Sequence, residues 1–496
     1  LGEKKHLFGT TEKSDFILNM TDQGAKKLCG VYCIIAMLVV ALAALPYYLT
    51  KDAVDYVSTE TGFEVTHYLS EKLVFLVSTL FIAAGLIGFL VFLVGHMKEQ
   101  IIVKKNKALL WFAGLIIISV ISTLCADSIM YAFYGYLDRA EGLLSILGYL
   151  GFFAMAMTVT AENWKIRIAD FLVGIGAVNG IIGILQSIPA TGDKIPNYFQ
   201  YLFKDFGTIA GDGEIIIDDL IHTEGYIATG LAVTPFALAA LLTVSFAAAV
   251  CGIAFDKSAL RRILYLAASA VMAVCSAFTR VLPAVIGISA AAVTAAVIAV
   301  IRKVKNGDKP SVLPSLCGII TAALAFGIMF GTGISDFKDE QIIFTDCYDR
   351  LSISSGKRDD TSEWIYSYLW DDGMYIVQNH PITGTGPDNW GSMFKLGAVI
   401  DRSYNEYIDI AAQRGIPCLI SYIVILLITL KKAFKATADF IGDKNCWAAA
   451  AAASAVIAYI IQAFFNISSV SSTPFFWICV GLIWSYTAKG TETKKK

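Results

Sequence analysis

The sequence predicts an all-α, polytopic membrane protein of about twelve transmembrane helices, with a large folded helical outer loop between spans 9 and 10. Three observations lead there. Of 496 residues, 56% are hydrophobic and 16% charged, with a mean hydropathy of +0.64, whereas roughly a quarter of a soluble chain is charged. Apolar stretches approaching the ~20 residues that a helix needs to cross a bilayer fall at 30–49, 73–95, 108–126, 142–160, 168–189, 227–254, 263–279, 281–301, 312–332, 415–430, 446–465 and 470–487. A single long polar segment, 333–414, interrupts them.

Taken in order, the polar tail 1–27 is expected to be cytoplasmic or partly disordered, and no cleavable signal-peptide pattern is read ahead of the first span. Orientation follows from the basic residues, which favour the cytoplasmic side. Lys26 and Lys27 share a side with His96 to Lys107, Asp256 to Arg262, Arg302 to Lys309, Lys431 to Lys444 and the Lys494 to Lys496 tail. That side takes most of the 39 Lys and Arg, and the opposite side takes most of the 41 Asp and Glu. Both termini are therefore expected in the cytoplasm and the 333–414 loop outside. One span more or fewer would put every later loop on the wrong side, so the charge sorting supports twelve. The whole of 1–496 reads as one membrane domain, without a fixed-period repeat or a Pro- or Ser-rich linker. The Ala448 to Ala455 run gives a helix with a small-residue face suited to close packing. The ten Cys form no CxxC pair, so no metal is expected. Cys125 and Cys347 both fall near the expected outer face, but a disulfide between them is not the favoured reading. The Asn466-Ile-Ser sequon sits at a short membrane-edge turn and reads as coincidence.

Long loops in compact domains tend to be functional, and this one carries its own helix signals. Asp360-Thr-Ser-Glu363 spells a capping box opening a run with Trp364, Ile365, Tyr368, Leu369, Met374 and Ile376 that must end before Pro381. Ser403-Tyr-Asn-Glu406 repeats the pattern, with Tyr404 in the first turn, and opens a short helix stopped by Gly415 and Pro417. Between them Gly384-Thr-Gly-Pro-Asp-Asn389 is a tight turn.

Ser355-Gly-Lys-Arg358, the aromatic run Trp364 to Tyr375, Pro381-Ile-Thr-Gly-Thr-Gly386, Tyr404-Asn-Glu-Tyr407 and Gly415-Ile-Pro-Cys-Leu419 stand in an order and spacing that resemble the O-antigen ligase and polysaccharide polymerase superfamily. Gly135-Tyr-Leu-Asp-Arg-Ala-Glu-Gly142, Gln186 at the end of span 5 and Phe278-Thr-Arg280 also look like that family's signposts, so the resemblance covers roughly residues 120–490. It departs at two positions. The family's loop His is Tyr404 here, and His222 stands where an Arg is often found before the sixth span. The resemblance implies a bacterial plasma-membrane enzyme that moves a glycan from undecaprenyl pyrophosphate to a saccharide, lipid-linked or protein acceptor at the outer face. It implies neither metal nor cofactor, and its partners are that donor, the acceptor and membrane lipids, with no nucleic acid.

Arg280 follows Thr279 at the outer edge of an apolar hairpin, where a charge is costly unless it reaches water or an anion. Headgroup snorkelling is the bland role; with the resemblance, pyrophosphate binding is favoured, since a guanidinium fork grips phosphate bidentately. His222 and His380 are candidate chemical groups, each with hydrogen-bonded structural service as the ordinary alternative; His222 would bind phosphate as imidazolium, and His380 would orient the turn. Tyr404 is a poor base at an unperturbed pKa near ~10. Glu406 is placed to serve instead, though its spacing favours the cap. Asn389 and Asn405 are of the type that orients sugars or builds turns. Arg402 and Arg414 bracket the short helix, with Arg414 complementing its dipole. Arg139, Lys357, Arg358 and Gln186 complete the substrate-contact candidates, solvated charge being the default for the three cations. No Walker, GxGxxG or HExxH motif is present. The alternative class is a transporter or flippase for a lipid-linked saccharide, which would want coupling charges at mid-membrane that the apolar spans do not supply. A noncatalytic scaffold would leave the large loop without a purpose.

Overall fold

A computed structural model describes residues 22–43, 45, 63–97, 107–136, 139–187, 228–232, 234–279, 281–306, 364–390, 402–442 and 447–487. Among these the regular structure is all helix: α1 (Asp22–Leu42), α2 (Phe63–Met97), α3 (Leu109–Leu124), α4 (Ile129–Tyr134), α5 (Leu143–Met157), α6 (Glu162–Gln186), α7 (Pro235–Phe255), α8 (Ala259–Phe278), α9 (Leu282–Asn306), α10 (Trp364–Asn379), α11 (Glu406–Arg414), α12 (Ile416–Gly442), α13 (Ala448–Gln462) and α14 (Thr473–Thr487). Six are long and apolar enough to cross a membrane: the Ser78–Met97 part of α2, then α6, α7, α8, α9 and α12. Five shorter apolar helices accompany them, in α1, α3, α5, α13 and α14. A helix overlaps each expected apolar stretch except 312–332, which lies outside the described residues. Ile87, Leu90, Leu110, Ile117, Leu124, Val178, Leu260, Ile263, Val293, Leu427 and Phe434 are exposed on the outward faces. Side chains of this kind face lipid at little cost, and the chain is a helical multi-pass membrane protein.

The axis of the bundle is α7. It is apolar on every face, the signature of a helix buried all round, and its residues from Phe236 to Ile253 are all buried. Thr234 starts it, its hydroxyl accepting from the Ala237 amide at 3.1 Å, with Pro235 in the first turn. Around it pack α6, α8, α9 and α13. Small residues let these backbones approach: a side chain at Gly176 of α6 would run into Ser245, and one at Gly287 of α9 into Thr243. The poly-alanine face of α13 is buried, and its Ser454 donates to the Ala291 carbonyl of α9 at 3.0 Å. Elsewhere Gly85 of α2 lies directly against Gly148 and Gly151 of α5. The rings of Phe112, Phe153, Trp477 and Trp484 lock α3, α5 and α14 together, Phe112 and Phe153 stacking at 4.3 Å.

The two ends of the bundle differ. At one, Arg261 meets Asp170 and Asp256, while Arg302 lies over Phe255 and Phe440 and Lys432 over Trp484. At the other, the ends of α3, α6, α8 and α13 and the starts of α5, α7 and α14 are joined by polar contacts described below. The span expected to stop near 430 runs on to Gly442, carrying Lys431, Lys432 and Lys435 on the helix itself. Pro417 also differs from expectation. Gly415, at φ 81°, ends α11 by itself, and Pro417 is the second residue of α12, where its missing N–H is harmless.

Candidate functional site

The turn after α10 delivers a carboxylate into the protein. Gly384 (φ 66°), Gly386 (φ 105°) and Asp388 (φ 56°) all adopt the left-handed region, which glycine enters freely and Asp tolerates. The turn is strapped to the end of α11: the amides of Thr385 and Gly386 donate to the carbonyls of Ala412 and Gln413 at 3.1 and 2.8 Å, and Ile416 N donates to Pro381 O at 2.8 Å. A side chain at Gly386 would strike Ala126 and Asn389, so the backbone there lies close against the α3 to α4 connection. Gln413 Oε1 accepts from the Asp388 amide at 3.1 Å.

Asp388, 1% exposed, then meets the α4 to α5 connection. Its Oδ2 accepts from the amides of Tyr136 (2.8 Å) and Glu141 (3.2 Å), and its Oδ1 faces Arg139 Nε at 3.1 Å and Arg402 Nη2 at 3.6 Å. Arg402 Nη1 donates to Ser468 O at 2.7 Å, and the Ser468 hydroxyl donates to Glu141 Oε2 at 3.2 Å. Tyr149 of α5 donates to Glu141 Oε1 at 2.6 Å. Four separate stretches of chain thus share one buried ionic cluster. Burial pushes the Glu141 carboxyl above the usual carboxylate range, against the pull of Arg402 and the Tyr149 hydroxyl.

Beside this cluster stands the start of α11, and here the expected capping box gives way. Asn405 is the cap, its Oδ1 accepting from the amides of Tyr407 (3.1 Å) and Ile408 (3.3 Å). Ser403 turns instead to Asp409, its hydroxyl donating to Oδ1 at 2.8 Å. Tyr404 precedes the cap rather than sitting in the first turn. Its backbone is left-handed (φ 53°) and its ring packs on Phe236 at 4.7 Å. Glu406, released from capping, is 5% exposed. Its amide donates to Ala463 O at 3.0 Å, and its Oε1 accepts from the Tyr422 hydroxyl at 2.6 Å. Among the described residues its Oε2 accepts no hydrogen bond of ordinary geometry. Burial raises this carboxyl to about 7, opposed by the hydroxyls of Tyr422 and Tyr459 and by Arg414, and reinforced by Glu141. A carboxyl poised there can both hold and release a proton near neutral pH.

Of the residues expected from the sequence, Arg139, Arg402, Glu406 and Arg414 meet in this charged cluster, the last from the final turn of α11. Asn389 ties the turn to α4, its Nδ2 donating to Ser128 O at 3.1 Å. Gln186 is a latch on the segment ahead of α7: its Oε1 accepts from the amides of Thr229 (3.0 Å) and Gly230 (2.8 Å) and its Nε2 donates to Gly230 O at 3.2 Å. That segment is tied to α8 by Ala228 N donating to Phe278 O at 3.0 Å. His380 is partly exposed at the start of the turn, held through its backbone by Ile376 and Gly384. Arg280, His222, Lys357, Arg358 and Cys347 lie outside the described residues. Thr279 and Val281, which flank Arg280, are both buried.

Sequence reasoning missed Asp388, Glu141, Tyr149, Tyr422, Tyr459, Gln413 and Ser468. Two of them carried a signal. Glu141 lies inside the quoted 135–142 segment at the edge of an apolar span, where an ionisable group calls for a partner, and Asp388 lies in the Gly384 to Asn389 turn. Taken together, the end of the bundle offers Arg139, Arg402 and Arg414 around carboxyls, of which two are raised by burial. Such a group can accept an anion and exchange a proton. No protein-family model matches the chain, and no curated protein matches it.

Proposed function

We propose that the chain is a glycan ligase or polymerase, a metal-independent glycosyltransferase that moves a sugar chain from undecaprenyl pyrophosphate to an acceptor hydroxyl at the outer face of a bacterial plasma membrane. One observation carries the reading. The segments 135–142, 381–386, 404–407 and 415–419, four of those on which the resemblance rests, are far apart in sequence yet are drawn together: Asp388, two residues past the second, meets Arg139 of the first and Arg402, two residues ahead of the third, and Ile416 N donates to Pro381 O. In this reading twelve spans put both termini in the cytoplasm and the 333–414 loop outside, where it contributes Asp388, Arg402, Glu406 and Arg414 to the cluster. Arg280, next to the end of α8, holds the pyrophosphate as negative charge grows on it, with Arg414 adding positive field. The acceptor oxygen bonds to the anomeric carbon as the bond from that carbon to the pyrophosphate oxygen breaks, so the configuration inverts, and Tyr404 orients the substrate. A carrier would need charges along its middle; among the described residues the ion pairs gather at the helix ends.

The test uses the protein in vesicles with labelled undecaprenyl-pyrophosphate saccharides extracted from the source cell, a membrane extract as acceptor, and release of undecaprenyl pyrophosphate as readout. The wild type turns over, and Arg280→Lys, which keeps the charge but loses the fork, loses most of the transfer while still inserting and folding. No release by the wild type would refute the function. Near-full activity in Arg280→Lys would remove Arg280 from the site.

A further inference from the structure

The transfer liberates a proton from the acceptor hydroxyl, and the loop position that carries His in the resembling family is Tyr404, whose ring is turned onto Phe236. Resting on the function proposed above, we propose that Glu406 is the proton acceptor of this transfer. Three buried polar atoms on adjoining elements favour it. Among the described residues, Glu406 Oε2, Gln462 Nε2 and Ser472 Oγ make no hydrogen bond of ordinary geometry, although their residues are 5%, 0% and 1% exposed and buried polar atoms are ordinarily bonded; besides Tyr422, the Tyr459 hydroxyl leans on the Glu406 carboxyl. Gln462 and Ser472 each stand next to a residue that bonds Glu406 or its neighbour Tyr459. Gln462 precedes Ala463, whose carbonyl takes the Glu406 amide. Ser472 precedes Thr473, whose hydroxyl bonds to Tyr459, the tyrosine beside Glu406. A saccharide hydroxyl both donates and accepts, which suits a set made of a carboxylate oxygen, an amide N–H and a hydroxyl.

The step balances as follows. The acceptor oxygen forms its bond to the anomeric carbon, the bond from that carbon to the pyrophosphate oxygen breaks and its electron pair leaves with undecaprenyl pyrophosphate, and the hydroxyl proton passes to Oε2 of Glu406. Tyr422 on Oε1 fixes the carboxyl plane. The groups facing Glu406 are Tyr422 of α12, Tyr459 of α13, Arg414 of its own helix and Glu141 from the α4 to α5 connection. With a carboxyl raised to about 7, the rate at saturating donor falls on the acid side of neutrality.

The variant is Glu406→Gln, whose amide oxygen still accepts from Tyr422. In the vesicle assay it loses a hundredfold or more in turnover, within the ~10²–10⁴ range of a positioned base, with the donor KM unchanged and the acid limb of the pH profile gone. Glu406→Asp keeps that limb at reduced rate. Tyr422→Phe removes a hydrogen bond that favours the charged form, and moves the limb to higher pH. Transfer within threefold of wild type in Glu406→Gln, a persisting acid limb, or an unmoved limb in Tyr422→Phe overturns the assignment and leaves the transferase reading standing. A wild type that releases no undecaprenyl pyrophosphate overturns both.

Discussion

Asp388→Asn is the sharpest test of the cluster. Asn tolerates the left-handed backbone at this position and its amide oxygen still accepts from the Tyr136 and Glu141 amides, so the turn keeps its path. What disappears is one negative charge, 1% exposed, set 3.1 Å from Arg139 and 3.6 Å from Arg402, whose side chains are 14% and 4% exposed. Removing one member of a buried ionic group leaves the others less compensated, with Glu141 and the Ser468 carbonyl still facing Arg402, so the cost is at the lower end of the ~3–5 kcal/mol of a fully broken buried pair. The assay is unfolding from mixed micelles by SDS, followed by tryptophan fluorescence, in Asp388→Asn, Arg402→Met and the double variant. Because the two residues share one contact, the double variant loses less than the sum of the singles, by about 0.5–3 kcal/mol. An Asp388→Asn protein within ~1 kcal/mol of wild type, or strict additivity in the cycle, would refute the argument that this carboxylate organises the arginines.

Three further outcomes follow from the same geometry. Glu406 has its carboxyl raised from 4.5 to about 7 by burial, so between those values the folded state binds more protons than the unfolded one and stability declines as pH rises. The decline is about 3 kcal/mol across that window, and a Glu406→Gln protein whose melts show the same slope would contradict it. Tyr404→Phe lowers transfer only about tenfold, the scale of one lost hydrogen bond of ~1.4 kcal/mol, and Tyr404→His is tolerated; a thousandfold loss in the Phe variant would mean the tyrosine does proton chemistry itself. Cys125, free and exposed at the end of α3 beside the cluster, reacts with a membrane-impermeant maleimide added to intact cells. Labelling only after the cytoplasmic side is opened would invert the proposed orientation.

The helices were legible because their cause is local. Apolar length marks a span wherever it falls, and the Gly384 to Asn389 turn and the Gly415 stop announce themselves through residues that tolerate positive φ. Ser403-x-x-Glu406 shows where local reading ends. Its spacing fits a capping box, yet Asp409 holds the serine, Asn405 takes the cap, and the Tyr422 hydroxyl of α12 holds the glutamate. Which acceptor a hydroxyl or amide finds is a competition among everything brought within ~3 Å, and a pattern along one helix sees only its own members.

By itself, then, the sequence determined an apolar multi-pass helical chain and a loop with its own helices and turn, since hydropathy and backbone preference belong to each residue and its near neighbours. Only the tertiary structure decided that Asp388 would meet Arg139, that Arg402 would bind the Ser468 carbonyl across the bundle, and that Glu406 would lie buried between Tyr422 and Tyr459. The physical reason is that charge state and hydrogen bonding depend on burial and on partners tens to hundreds of residues away, which exist as neighbours only once the helices have packed.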